Sequence, residues 1–199
     1  MPFSQVIRFE ALDLPEGAVH QGIAALVRPF WFEDVTRLAR KYGTASKPLV
    51  VCDQISDPRN LGAVIRAAAA LGAGGIVFSR RHSASINGTV IKASAGAVFH
   101  LQVALVSNIP RALKVIKESG FWVYGLDSRA DLELSQVDLS SVPTALVAGS
   151  EEKGLRKNVR KELDFQVKIP INPGIESLNV SCAVAVALYE CRRQKAGLK

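Results

Sequence analysis

Residues 48–79, PLVVCDQISDPRNLGAVIRAAAALGAGGIVFS, are the stretch of the chain that decides its fold. The apolar run at 48–53 predicts a buried strand, the Ala-rich segment at 61–71 predicts a helix, and residues 75–79 predict a second strand. Neither strand alternates apolar and polar residues, which is typical of a parallel sheet covered on both faces. The stretch therefore indicates an α/β protein with helices on both sides of a mostly parallel sheet.

The same alternation of strands and helices continues toward the carboxyl terminus. Further strands are predicted at 121–126, 144–148 and 165–169, and further helices at 109–119, 154–162 and 178–194. The polar run RKYGTASK at 40–47 instead predicts a linker. We therefore divide the chain into an amino-terminal arm and linker, residues 1–47, and a main domain, residues 48–199.

Composition limits the classes of protein that the chain can belong to. Its 199 residues carry a net charge of +7, which favours a polyanionic partner. The longest apolar run, 182–189, is far shorter than the roughly 20 residues of a membrane span, and no signal peptide opens the chain, so a cytoplasmic protein is expected. Three cysteines without a C-x-x-C pair predict buried reduced thiols at Cys52, Cys182 and Cys191.

Ligands of open α/β sheets bind beyond the carboxyl ends of the strands, and three loops there are unusual. In the first, Asp57 and Pro58 predict a turn, Asn60 is placed to cap the next helix, and Arg66 projects from that helix about two turns later. A binding loop and a well-capped helix with a solvated arginine are both compatible with this pattern.

The second loop, GSEEKG at 149–154, has two glycines that let backbone approach a ligand closely. It lacks the lysine of a phosphate-binding P-loop, which argues against a nucleoside triphosphatase. Five cations that follow have the spacing of a single helix face: Lys153, Arg156, Lys157, Arg160 and Lys161. That face is predicted either to contact nucleic acid or to be merely solvated.

The third loop is IPINPGIESLN at 169–179, and Pro170, Pro173 and Gly174 give it an unusual path. Ser177 and Asn179 offer side-chain oxygens to a ligand. A binding loop and a plain rigid turn both fit. The sequence has no G-x-G-x-x-G, G-x-S-x-G or H-E-x-x-H motif, and its three histidines lack metal-ligand spacing. Nicotinamide, flavin, hydrolase and metal chemistry are therefore not expected.

Together the three loops resemble the signature motifs of the SpoU (TrmH-like) family of RNA ribose 2'-O-methyltransferases, of the SPOUT class. The matching segments are DPRNLGAVIRAAAALG (57–72), LVAGSEEKGL (146–155) and IPINPGIESLNVSCAVA (169–185). A further segment, GAVHQGIAAL (17–26), resembles the junction into the catalytic domain in the branch that methylates a guanosine of 23S rRNA. One departure is Pro173, which stands where the family usually has glycine.

The resemblance implies S-adenosylmethionine as methyl donor, a carboxyl-terminal trefoil knot, and a homodimer with shared active sites in which residues 48–199 form the catalytic domain. It places Gly149, Ile169 and Leu178 at cofactor-binding positions. The matching catalytic or guanosine-orienting positions are Asn60, Arg66, Glu151, Ser177 and Asn179. A guanidinium stays protonated in proteins, so we expect Arg66 to stabilise charge rather than act as a base.

The expected reaction is methyl transfer to a ribose 2'-hydroxyl of RNA, foremost a guanosine of 23S rRNA. Three alternatives remain: a tRNA 2'-O-methyltransferase, a non-catalytic RNA-binding relative, and a small-molecule methyltransferase, which the cationic residues argue against. The branch usually carries an RNA-binding domain ahead of the junction, and the residues before His20 are too few to hold one.

The final predicted helix has apolar residues outside its main buried ridge, among them Ala185, Val186 and Tyr189. That surplus predicts a second packing partner. A two-fold dimer would supply it and would also bring Arg66 of one chain toward the cofactor loops of the other. A helix buried within one subunit is the alternative.

Overall fold

A computed structural model of the chain describes residues 30–197, so residues 1–29 of the predicted arm, with the junction motif at 17–26, lie outside the described part. The strands are β1 Leu49–Cys52, β2 Gly75–Ser79, β3 Gln102–Val106, β4 Trp122–Leu126, β5 Leu132–Glu133, β6 Thr144–Ala148 and β7 Phe165–Lys168. The helices are α1 Val35–Thr44, α2 Pro58–Ala70, α3 Gly88–Ala93, α4 Ile109–Glu118, α5 Lys157–Arg160 and α6 Val180–Lys195, with short 3₁₀ helices at Ala97–His100 and Leu134–Gln136.

The seven strands within residues 30–197 all run parallel in one sheet of order β3-β2-β1-β6-β4-β7-β5. Every residue of β1, β2 and β6 is buried, as the unbroken apolar runs in the sequence predict. Helices α1 and α4 pack together, as do α2 and α6, the latter also against β6. The predicted α/β class with a parallel sheet is confirmed.

Helix α2 illustrates how local sequence builds these layers. Asp57 caps it by accepting a hydrogen bond from the Arg59 amide at 3.0 Å, and Pro58 occupies the first turn, where its missing N–H costs nothing. Gly62 lets α3 pack closely, since a Cβ there would lie 2.5 Å from the Cβ of Ala93. The first motif is therefore held rigidly from its first residue.

Two predictions about secondary structure were wrong. Residues 40–44 of the expected linker belong to α1, which Asp34 caps and which buries Leu38 and Ala39 completely. The linker prediction considered only its polar residues and missed this amphipathic face. The helix predicted at 154–162 shrinks to the four residues of α5, because Arg156 makes contacts that hold it extended ahead of the helix.

The parallel topology places the carboxyl ends of the strands on one edge. Strand β1 neighbours β6, and β4 lies between β6 and β7, so the loops after β1, β6 and β7 open at the same edge. These three loops carry the three sequence motifs. Of the described helices, none is long and apolar enough to cross a membrane.

Candidate active site

Three side chains, one from each motif loop, meet in a hydrogen-bonded network. Asn60 donates from Nδ2 to Glu151 Oε2 at 2.7 Å, and Asn179 donates from Nδ2 to Glu151 Oε1 at 2.7 Å. Asn179 Nδ2 also lies 3.0 Å from Asn60 Oδ1. The fold thus brings together residues that are up to 119 positions apart in sequence.

Each member is oriented by the element that carries it. Asn60 stands in the first turn of α2. Asn179 caps α6, and its Oδ1 accepts hydrogen bonds from the Ser181 amide at 2.9 Å and the Ser181 hydroxyl at 2.6 Å, which turns Nδ2 toward Glu151. Because the Glu151 carboxylate accepts a hydrogen bond from each side-chain amide group, it fixes the orientation of the Nδ2 and Oδ1 atoms of both asparagines.

Glu151 belongs to a tightly closed loop. The Gly154 amide donates to the Ser150 carbonyl at 2.8 Å, and the Lys153 amide donates to the Ser150 hydroxyl at 3.2 Å. A Cβ on Gly149 would lie 2.3 Å from the carbonyl carbon of Gly154. Packing within the loop therefore requires glycine at position 149, whether or not a ligand also approaches its backbone closely.

A buried ion pair joins this loop to the end of β1. Asp53 is fully buried, and its Oδ1 accepts from Arg156 Nε at 2.9 Å and from Arg156 Nη2 at 2.6 Å. The Arg156 amide also donates to Asp53 Oδ2 at 3.2 Å. The pair holds the loop 149–156 against the strand that leads into the first motif.

The predicted cationic helix face does not form. Arg156 lies outside α5 and is paired with Asp53, while Arg160 pairs with Asp127 and donates to Gln166 at 2.8 Å. These two guanidinium groups are therefore neutralised within the fold. Lys153, Lys157 and Lys161 are exposed and form no ion pair with any other residue in the range 30–197.

Beside the network lies a pocket of about 480 Å³ at the carboxyl ends of β4, β6 and β7. The predicted cofactor positions Gly149, Ile169 and Leu178 all line it, and so does Ser177. Its acidic lining residues outnumber its basic ones: Asp127, Glu151, Glu152 and Glu176 against Arg129 and Lys153. A second cavity of about 230 Å³ is lined by Gln54, Ile55, Ser56, Asp57, Asn60, Ser150, Glu151, Glu152 and Val180.

Residues 126–129 also line the large pocket, and none of them was predicted. Burial works to raise the pKa of Asp127, but hydrogen bonds from Arg129 and Arg160 outweigh it and leave that pKa below its ordinary value. The loop follows a predicted strand, so the rule that sites collect at carboxyl ends of parallel strands would have identified it.

Two predicted residues stand apart from the network. Arg66 is exposed on α2, and its side chain makes no hydrogen bond or ion pair with another described residue. Ser177 is exposed at the pocket wall. Of the predicted catalytic positions, all of which the structure describes, Asn60, Glu151 and Asn179 form the network within one chain, and Arg66 and Ser177 do not join it.

The predicted burial of the three cysteines is only partly confirmed. Cys52 and Cys191 are buried, and burial raises the pKa of both thiols, that of Cys191 to about 12. Cys182 is exposed on α6, so the prediction of burial was wrong for it. In the part of the chain that the structure describes, no three His, Cys, Asp or Glu side chains group as a metal site would require.

Comparison with known proteins gives the same assignment as the three motifs. Residues 47–189 match the model of the SpoU rRNA Methylase family. The chain is 43% identical over 193 residues to an uncharacterised tRNA/rRNA methyltransferase of Synechocystis sp., spanning 96% of the chain and half of that relative. It is 40% identical over 194 residues to the 23S rRNA (guanosine-2'-O-)-methyltransferase RlmB of Xanthomonas axonopodis, spanning 96% of the chain and 78% of that enzyme.

Among solved structures, the AdoMet-bound rRNA methyltransferase of Sinorhizobium meliloti aligns with a TM-score of 0.75 at 26% identity, covering 82% of this chain and 61% of that one. The fold, the three motif loops at one sheet edge and the family match over residues 47–189 agree with one another. The chain belongs to the SpoU rRNA Methylase family.

Proposed function

We propose that the protein transfers a methyl group from S-adenosylmethionine to a ribose 2'-hydroxyl of RNA, foremost a guanosine of 23S rRNA. The observation that carries this proposal is the convergence of Asn60, Glu151 and Asn179 beside the large pocket. Relatives at 37–40% identity that are named as 23S rRNA guanosine-2'-O-methyltransferases support the choice of substrate.

The large pocket fits the methyl donor. Its volume of about 480 Å³ is within the usual range for small-molecule sites. The surplus of carboxylates in its lining suits a ligand that carries a cationic sulfonium and an ammonium group. Backbone groups of Gly149, Ile169 and Leu178 would hold it. It would supply a methyl group on positively charged sulfur, which an oxygen nucleophile can attack without a metal because the sulfur leaves as a neutral thioether.

The network residues then orient the ribose hydroxyl. Glu151 lines both cavities and fixes both amide groups, and Asn60 lines the smaller cavity, so Asn60 and Asn179 would hydrogen-bond the nucleotide. Fixing the two reacting groups in this way supplies on the order of 7 to 11 kcal/mol in well-oriented systems. Ser177 lines the large pocket and is a further candidate to hydrogen-bond the ribose hydroxyl.

A homodimer completes this proposal. Val186 and Tyr189 are 41% and 57% exposed on one face of α6, together with Cys182. Arg66, exposed and unpaired within the described part of its own chain, would then act at the partner's site by stabilising negative charge on the reacting oxygen or the adjacent phosphate. The proposal also takes residues 48–199 as the catalytic domain and the cytoplasm as the location of the protein.

A trefoil knot is also part of the proposal. Helix α6 follows β7, yet it packs on β6 and α2, so the chain crosses back past β4 before it ends. Such a return path beside the closed loop 149–154 is what the knotted topology of the SPOUT class requires. Knots are rare in proteins, so the family resemblance carries most of this inference.

RNA contact by Lys153, Lys157 and Lys161 remains proposed, because all three are exposed and Lys153 lines the large pocket. Arg156 and Arg160 are reassigned to holding the loop and the pocket wall. A tRNA substrate is the alternative within the same reaction, since several relatives are named tRNA/rRNA methyltransferases. The assembled network favours an enzyme over a non-catalytic RNA-binding relative.

Calorimetry with S-adenosylmethionine and mapping of 2'-O-methyl groups in rRNA and tRNA from a deletion strain test the proposal. Glu151→Gln should lower methyl transfer about a hundredfold, because one amide would then face another donor, while cofactor affinity changes little. Glu118→Gln is the control and should retain activity, because Glu118 is exposed at the end of α4 and lines neither cavity. No cofactor binding by the wild-type chain, or full activity of Glu151→Gln, would refute the assignment.

A further inference from the structure

The loop that follows β2 is strongly basic. Residues 80–87, RRHSASIN, contain Arg80, Arg81 and His82, all exposed, and no acidic residue. The segment after β3, residues 107–111, is also free of acids and ends with the exposed Arg111. We call Arg80, Arg81 and Arg111 the basic edge.

The basic edge lies on the same side of the sheet as the candidate active site. Strands β1, β2 and β3 are parallel neighbours, so the loops after them open in one direction. The Ala84 amide donates to the Ile55 carbonyl at 2.9 Å, and Ile55 lines the smaller cavity together with Asn60 and Glu151. The basic loop is therefore attached directly to a wall of the cavity beside the network.

Hydrogen bonds fix the shape of the loop. The Arg80 amide donates to the Val106 carbonyl at 2.8 Å, and the Ser79 hydroxyl donates to the Arg81 carbonyl at 2.7 Å. His82 has a φ of +59°, a left-handed conformation that is uncommon for a residue with a side chain. A loop held in this way loses little freedom when it binds a partner.

Charge is divided along the edge of the sheet. The half formed by β4, β6 and β7 carries the acidic lining of the large pocket, and its arginines are paired with aspartates: Arg156 with Asp53, and Arg129 and Arg160 with Asp127. The exposed cations of that half are the lysines Lys153, Lys157 and Lys161. The half formed by β2 and β3 carries cations for which no ion pair occurs within residues 30–197. A polyanion that reaches the network therefore meets favourable potential on the β2 and β3 side.

We propose that the basic edge is the docking surface for the RNA backbone, and that it binds phosphates next to the nucleotide whose ribose enters the smaller cavity. This inference rests on the proposed function and adds to it the path of the substrate. Phosphate contacts of this kind position a nucleic acid without reading its sequence, whereas the cavity would select the nucleotide.

Charge reversal at the basic edge tests the proposal. The probe is a short fluorescein-labelled RNA hairpin with unpaired guanosines, titrated between about 50 and 250 mM KCl. Arg80→Glu/Arg81→Glu should weaken RNA binding by about tenfold or more. It should also lower the steepness of log binding constant against log salt concentration by about 1 or more. The matched control, Lys41→Glu/Lys47→Glu, changes net charge equally at the opposite edge, near the starts of β3 and β1, and should bind RNA within about twofold of wild type.

Calorimetry with S-adenosylmethionine on all three proteins separates this inference from the proposed function. Equal cofactor affinity with weaker RNA binding only in the Arg80/Arg81 variant supports the docking surface. Equal RNA binding by the two double variants overturns it, whether both are weakened or neither is, and so does a wild-type chain that does not bind the hairpin. A wild-type chain that binds RNA but no cofactor counts against the enzyme and not against the surface.

Discussion

At the scale of single residues, the pair Asp53 and Arg156 explains how two motif loops keep a common geometry. Asp53 is fully buried, whereas the Arg156 side chain is 35% exposed. The two partners are therefore unequal. A carboxylate left alone in the interior has no access to water, but a guanidinium left alone can turn toward solvent.

This asymmetry predicts an order of stabilities. Arg156→Ala should lower the free energy of unfolding by about 3 to 5 kcal/mol, because it leaves a buried charge unpaired. Asp53→Ala should cost less, and adding it to Arg156→Ala should restore part of the loss. Denaturant unfolding of the two single variants and the double variant measures the three values. Additive losses would mean that the two side chains do not act as a pair.

The residue scale also separates what could be predicted from what could not. Asn60, Glu151 and Asn179 sit in motifs, so the sequence identifies them as candidates. The partner of Arg156 is 103 residues away, and no local pattern encodes such a contact. Arg156 was consequently assigned to RNA by its charge alone, although its charge is used inside the fold.

At the scale of elements, helical spacing of residues gave a wrong prediction where the helix itself is too short to present a continuous face. The cations from Lys153 to Lys161 have helical spacing, but α5 is a single short turn. Longer segments such as α2 and α6 were predicted to within about three residues at each end, because apolar periodicity, caps and strand neighbours all agree there. Consistent local signals therefore predicted five strands of the sheet and the helices α2, α4 and α6, but not β3, β5 or α3.

The loop 149–154 gives a prediction at this scale. Gly149→Ala places a methyl group against the Gly154 backbone, so it should lower the free energy of unfolding by about 1 to 3 kcal/mol and weaken cofactor binding together with it. Gly88→Ala is the control, since a Cβ there meets nothing within 4 Å, and it should change stability by at most about 1 kcal/mol. Thermal unfolding and calorimetry report both effects; a Gly149→Ala protein as stable as wild type would show that the loop can open.

The exposed face of α6 gives a second prediction at the scale of elements. If Val186 and Tyr189 lie in a two-fold interface, Val186→Glu/Tyr189→Glu should shift the protein from about twice 21.4 kDa to the monomer mass of 21.4 kDa in light scattering. Ala45→Glu, an exposed apolar position at the end of α1, should leave the mass unchanged. A wild-type monomer at micromolar concentration would remove the dimer from the proposal.

At the scale of the whole molecule, the position of Arg66 connects assembly to catalysis. Its motif predicts a role at the active site, yet within one chain it is exposed and apart from the network. The sequence could not resolve this, because a residue that acts across an interface has the same local signature as one that acts within its own chain.

Mixing two inactive variants decides between these cases. Arg66→Ala and Asn179→Ala should each lose methyl transfer as homodimers while retaining the fold. If Arg66 serves the partner's site, a mixed dimer contains one site with Arg66 from one chain and Asn179 from the other, so an equimolar mixture after subunit exchange should regain roughly a quarter of wild-type activity. If Arg66 serves its own chain, every site in the mixture lacks one of the two residues and activity stays absent. Mixing Arg66→Ala with Arg66→Lys supplies the control, because exchange alone then restores no site that contains an arginine.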